Sequence, residues 1–267
     1  MAKNQGIALN PSVRSLLTHT SSITSYGDNE SRLYGPVKKR LASSGTFRNM
    51  TPGKVSGWAY NNYAFGVLGM TLELADKRVM DDIAGEYFFD PLHIDAAFES
   101  GELKNTDLLA TLYSRGGGVQ RSVQTQKGLK LKGGPGATGQ FFAGGLTVSA
   151  PDLAKLIATL ANDGVYEGQQ LLSEESVQTI ETSIGTPGGN PFEQCQPLRL
   201  QKNIYGRDQL YYHTGSAYGV YNCFSYDPVS KDGVVVLTTG AKSTKDDRGI
   251  YAVCGEITTS VYAAIER

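Results

Sequence analysis

A chain of 267 residues with 40% hydrophobic and 19% charged content can bury a substantial core, which fits one large domain or two closely packed lobes and excludes a disordered polypeptide. Lysine plus arginine number 25 against 26 aspartates and glutamates, so no field of one sign exists to hold nucleic acid or an anionic lipid surface. The start, Met1-Ala2-Lys3-Asn4-Gln5-Gly6, lacks the continuous apolar stretch of an export signal, and no apolar run elsewhere is long enough to span a bilayer.

The first third reads as helical segments broken by turns. Beyond Asn61, residues Phe65, Leu68 and Leu72 recur at helical spacing, which predicts a core-facing helix in which Gly66 and Gly69 permit close approach. A second amphipathic segment covers Val79 to Phe89 and stops at Asp90-Pro91, because proline disfavours helix in the residue before it. The middle, from Gly116-Gly117-Gly118 to Gly133-Gly134-Pro135-Gly136, reads as loops around short strands. Its glycines with Lys130 and Lys132 resemble a phosphate loop only superficially, since the Gly-Lys-Ser/Thr ending is missing. Ser149 then caps a helix carrying Leu153, Leu156, Ile157 and Leu160, and another helix starts after Ser173.

The last 60 or so residues change character. Tyr211 to Thr214, Gly219 to Tyr226 and Gly233 to Thr238 are short aromatic or β-branched runs separated by turn residues, an antiparallel meander. A final helix follows from about Gly249 to Ile265. Val234-Val235-Val236-Leu237 is apolar on both faces and suits a central, covered strand, yet only the Gly219 to Tyr226 run offers it a partner. The three cysteines, Cys195, Cys223 and Cys254, stand far apart with no Cys-x-x-Cys and read as buried free thiols, and no metal or cofactor motif is present.

Several segments occur together in one order: Leu16-Leu17-Thr18-His19-Thr20-Ser21-Ser22-Ile23, Tyr60-Asn61-Asn62-Tyr63, Phe89-Asp90-Pro91-Leu92, Gly144-Gly145-Leu146, Leu171-Leu172-Ser173-Glu174-Glu175-Ser176-Val177 and His213-Thr214-Gly215. With them the chain resembles the serine β-lactamase-like group that includes class C β-lactamases, D-Ala-D-Ala carboxypeptidases and related esterases. The resemblance implies an α+β fold, a helical lobe with an antiparallel sheet and C-terminal helix, acting through an acyl-serine on a small-molecule or peptide substrate. It also implies roles. Tyr60 matches the tyrosine that exchanges protons with nucleophile and leaving group, and Asn62 the asparagine that bonds the substrate amide. His213 and Thr214 match strand groups facing the substrate, often its carboxylate. Gly215 lets the backbone approach, and the Ser216 backbone N–H would be one oxyanion donor.

The sequence departs from that pattern at one place. No serine or cysteine has a lysine three positions later. Thr51-Pro52-Gly53-Lys54 and Thr239-Gly240-Ala241-Lys242 fit the letters with threonine, but both lie in turns, where a hydroxyl and an amine cannot share a helical face. In the resembled family the Ser-x-x-Lys precedes the Leu16 to Ile23 segment, behind a two-stranded hairpin. The expectation is therefore a single β-lactamase-related domain over 1–267, N-terminally incomplete, without the first two strands and the nucleophile helix. Its helical lobe would span 15–200, and a three-stranded sheet with the C-terminal helix 205–267. A tyrosine base needs nearby positive charge, and with no motif lysine and a histidine at 213 Tyr60 is expected to lack it.

Taken singly, each residue has a plainer reading. Tyr60 could be a half-buried aromatic, Asn62 a turn or cap, His19 a loop-packing residue, His93 a surface residue and His213 a strand residue. Ser216 is not in a Gly-x-Ser-x-Gly elbow, and His213 lacks companions for a metal site. The sequence thus supports a family hydrolase that is inactive or nearly so alone, with an N-terminal complementing chain as a possible partner. The alternative is a ligand- or peptide-binding protein without turnover.

Overall fold

The structure is a computed structural model that describes residues 2–4, 7–9, 11–24, 41, 44–130, 133–139 and 142–265. Lys132 of the glycine-rich middle lies outside these residues. Among the described residues no helix is long and apolar enough to cross a membrane.

The helical part begins with α1 (Val13–Leu17), capped by Ser12, whose side chain accepts from the Ser15 N–H. Its Leu16 packs with Ile23, Phe47 and one face of α2 (Asn62–Asp76). That face carries Tyr63, Ala64, Val67 and Leu68, so the stripe differs from the expected one. Leu68 is buried as expected, but Leu72 is 44% exposed. Phe65 turns instead toward His19, at 5.0 Å between ring centroids. Gly69 does serve close approach, because a Cβ there would lie 2.0 Å from the Phe142 ring. The Val79 to Phe89 segment is helical over Met80–Ala84 and π-helical over Gly85–Phe89, ending at Asp90 before Pro91. Helices α3 (Ala150–Ala161) and α4 (Glu174–Glu181) start at Ser149 and Ser173, each serine accepting a backbone N–H three residues on.

The antiparallel sheet is larger than the three strands expected. Its five strands are β1 (Glu193–Gln194), β2 (Arg199–Ile204), β3 (Arg207–Ala217), β4 (Val220–Tyr226) and β5 (Gly233–Val236), side by side in sequence order. The sheet therefore starts near Glu193 and not at 205. Arg-Leu-Gln-Lys-Asn-Ile hides its strand character behind polar residues, and pairing with β3 supplies what local propensity does not.

Successive side chains leave opposite faces of these strands. Tyr212, Cys223, Val234 and Val236 pack with Cys254 and Tyr262 of α5 (Ala252–Ile265). Tyr211, Phe224, Tyr226 and Val235 pack with Ile157 and Ala161 of α3. Both faces of β5 are covered, as its unbroken apolar run predicts, but β5 ends the sheet and among the described residues nothing pairs with its outer edge. Cys195, Cys223 and Cys254 are all buried free thiols.

Candidate active site

Three separate segments build the site. The first is the turn after α1. His19 sits there at φ 57°, a left-handed conformation, with its ring buried. Its Nδ1 accepts the Asn61 N–H at 3.1 Å and its carbonyl accepts the Ala59 N–H at 2.9 Å. The ring lies 4.3 Å from that of Tyr60, the two planes tilted by 41°. Burial, then the nearby His213 and Arg199, pushes its pKa down to about 3, which keeps Nδ1 an acceptor.

The second segment is the loop before α2. Asn61 is buried and caps the helix by accepting the Ala64 N–H at 3.1 Å, while its Nδ2 donates to the Ile23 carbonyl at 2.7 Å. Trp58 ties the same loop toward the sheet by donating its indole N–H to Gln194 Oε1 at 3.0 Å. Tyr60 is gripped between these anchors and remains 41% exposed.

The third segment is β3. Arg199 opens β2 opposite Tyr212, so beyond Tyr212 no strand among the described residues lines that edge of β3. Along this free edge run His213, Thr214, Gly215 and Ser216, paired on their other side with Phe224, Cys223, Asn222 and Tyr221 of β4. The hairpin turns at Tyr218 and Gly219, both left-handed at φ 52° and 84°, and this two-residue turn makes Ala217 and Val220 a hydrogen-bonded pair. Antiparallel alternation then makes Ser216 and Tyr221 a non-hydrogen-bonded pair. In agreement, the Tyr221 carbonyl accepts Thr238 Oγ1 at 2.6 Å, on the β5 side. The Ser216 N–H consequently points out of the sheet at the free edge.

The segments meet where the Tyr60 and His213 rings stand 6.4 Å apart. Arg199, which the sequence reading missed, joins them. Its Nη1 donates to Thr214 Oγ1 at 3.2 Å, and its guanidinium carbon lies 5.7 Å from the Tyr60 ring centroid and 4.5 Å from that of Phe192. The expectation that Tyr60 has no nearby cation is corrected by this arginine. Burial and then the Arg199 charge lower the His213 pKa to about 4, so the imidazole is neutral at pH 7 and the site's positive charge resides on Arg199.

Asn62 is the first residue of α2, the capping falls to Asn61, and among the described residues its side chain forms no hydrogen bond. His93 is exposed on its own turn. The described residues contain no group of three or more His, Cys, Asp or Glu able to hold a metal ion. The cysteines are poor nucleophiles, since burial pushes the Cys195 thiol up to about 12 and the Cys254 thiol up to about 11.

This α+β architecture, with helical segments facing an antiparallel sheet and the site between them, is of the β-lactamase and transpeptidase type. The sequence model of the Beta-lactamase family matches residues 5–253, and the chain belongs to that family. Among solved structures it is similar to a class C β-lactamase, with 14% identity, a TM-score of 0.65, and coverage of 96% of this chain and 70% of that one. It is similar also to the D-amino acid amidase from Ochrobactrum anthropi SV3, at 18% identity, a TM-score of 0.66, and 95% and 71% coverage. The D-alanine carboxypeptidase AmpC from Burkholderia cenocepacia matches at 16% identity, a TM-score of 0.61, and 96% and 70% coverage. At such identities the likeness is one of fold. No curated protein sequence matches the chain.

Proposed function

We propose that this chain carries the substrate-facing wall of an acyl-serine hydrolase site and by itself performs little or no acyl transfer. The observation that carries this reading is the 6.4 Å approach of Tyr60 to His213, from segments some 150 residues apart in sequence. In that reading Tyr60 passes a proton between nucleophile and leaving group, and Asn62 bonds the substrate amide. His213, Thr214 and Gly215 line the ligand, and the Ser216 N–H donates to the oxyanion. The substrate class is D-alanyl peptides, β-lactams or small esters, in line with the names of the D-amino acid amidase and the D-alanine carboxypeptidase of similar fold.

The attacking group is what these residues lack. The 267 residues contain no Ser-x-x-Lys, and the buried thiols do not replace it. A polypeptide supplying two strands and a helix with that motif would complete the site, which makes one half of a split hydrolase a coherent form of this proposal. Binding without turnover is the second reading, favoured by a wall that is assembled without its nucleophile. Intact-mass measurement after incubating the purified chain with a penicillin or a fluorophosphonate should show no covalent adduct. A stoichiometric adduct would overturn the inactivity.

A further inference from the structure

We propose that this chain forms a homodimer about a two-fold axis at Val235, joining the open edges of two β5 strands into one continuous sheet and bringing the two α5 helices into contact. Two features meet at this border of the molecule: a strand edge without a partner among the described residues, and a bare apolar row on the helix above it. Neither depends on the acyl-transfer reading.

Strand alternation fixes which backbone groups face outward. Ala217 and Val220 form a hydrogen-bonded pair, so Val220, Asn222, Phe224 and Tyr226 turn their N–H and C=O groups to β3, and Tyr221, Cys223 and Ser225 turn theirs to β5. Val236 and Val234, opposite Cys223 and Ser225, are therefore bonded to β4, and Gly233, Val235 and Leu237 point away from the sheet. The Thr238 N–H agrees, since it donates to Asn222 Oδ1 on the β4 side at 2.8 Å. An antiparallel copy centred on Val235 sets Val235 against its own mate and Gly233 against Leu237 on either side of the axis. That register pairs all three outward residues of each copy, whereas centring on Val234 or Val236 leaves one of them bare. Gly233 to Leu237 is uncharged, so no like charges meet across the junction.

The edge alone does not name its occupant; the helix above it does. α5 covers β4 and β5, with Cys254 and Tyr262 packed against Cys223, Val234 and Val236. One flank of α5 faces the turn between β2 and β3, where a Cβ on Gly255 would lie 2.6 Å from the Tyr205 hydroxyl. Glu256, the one charged residue within Ala252–Ile265, lines a hollow with Tyr205 and Asp246 on that side. At 3.6 residues per turn the opposite flank, toward the open edge, carries Ile257, Val261 and Ile265, all exposed. Neighbouring strands lie about 4.8 Å apart, so a helix above β4 and β5 sits about 5 Å from the two-fold axis and about 10 Å from its mate, the distance at which helices pack. A lone strand added to the edge would leave the α5 row bare. A second copy covers edge and row at once, because it brings the same helix at the same offset.

The test uses the whole chain. Sedimentation equilibrium should show monomer and dimer with no larger species, because pairing about a two-fold axis closes. Amide hydrogen exchange followed by NMR locates the contact. The Val234 and Val236 amides should be protected at every concentration, and those of Gly233, Val235 and Leu237 only where the dimer is populated. Val235→Pro removes an outward N–H from an edge strand and spares the bonds to β4, so the monomer should keep its circular dichroism while the dimer dissociation constant rises about ten-fold or more. Val261→Lys, which sets two lysines beside the axis, should raise that constant as well. A chain that stays monomeric at all concentrations overturns the proposal and leaves the edge to a different polypeptide. Dimers that leave the Val235 amide unprotected, or that form equally well in Val235→Pro, overturn the β5 edge as their interface.

Discussion

His19 shows how a single residue can carry a loop without touching chemistry. Its left-handed backbone and its Nδ1 bond to the Asn61 N–H hold the strand of chain that presents Tyr60, so the ring must stay neutral to remain an acceptor. That requirement has a pH signature. The native pKa values of His19 and His213 are lowered to about 3 and about 4, below the unfolded value near 6.5. Between those limits the unfolded chain binds protons that the native chain refuses. The stabilising contribution is complete above pH 6.5 and is lost as the pH falls toward the native values. Urea unfolding at pH 7.5 and pH 5 should differ by roughly 2 kcal/mol for each of the two histidines. His19→Gln should be less stable at pH 7.5 but show a shallower loss on acidification. An unchanged slope in the variant would mean that the ring is not held neutral.

At the scale of elements, the tight turn between β3 and β4 sets the phase of the edge of β3 that carries His213 to Ser216. Tyr218 and Gly219 are both left-handed, and a Cβ on Gly219 would lie 2.0 Å from the Tyr113 carbonyl oxygen. The turn between β2 and β3, at Tyr205 and Gly206, has the same left-handed pair, but a Cβ on Gly206 would meet nothing within 4 Å. The two glycines therefore separate conformational strain from crowding. Gly206→Ala should cost about 1 kcal/mol and Gly219→Ala at least twice that, measured by thermal or chemical unfolding. Equal costs would show that the Tyr113 contact yields freely. The helices themselves were legible from caps and apolar spacing: Ser149 and Ser173 begin α3 and α4 as their sequence context predicts. The misplaced Leu72 and the unread strand β2 share one cause, since the buried side of each is decided by what it packs against.

For the molecule as a whole, the open edge of β5 is the feature with consequences in solution. Its four residues are covered on both faces by α3 and α5, while its outer edge has no strand partner among the described residues. Beside it Leu237 is 37% exposed, and on α5 Ile257, Val261 and Ile265, spaced four apart, are exposed too. An uncharged edge next to apolar side chains favours pairing with another chain. Sedimentation velocity should show concentration-dependent association of the isolated chain, reduced in Leu237→Lys. Monodisperse behaviour at all concentrations would show that the edge is protected.

The sequence by itself determined the kind of fold and singled out the His213-Thr214-Gly215 tripeptide of the candidate site, because helix caps, apolar periods and short motifs are local patterns that survive in any surroundings. It also fixed that these residues include no Ser-x-x-Lys. Only the tertiary structure decided that His19 and Asn61 anchor Tyr60, and that the site's cation is Arg199. Arg199 reaches Thr214 across a strand register 15 residues long in sequence, and Tyr60 reaches His213 across the gap between lobe and sheet. Contacts of that range depend on how the strands and loops are set against one another, and no spacing within a single segment encodes them.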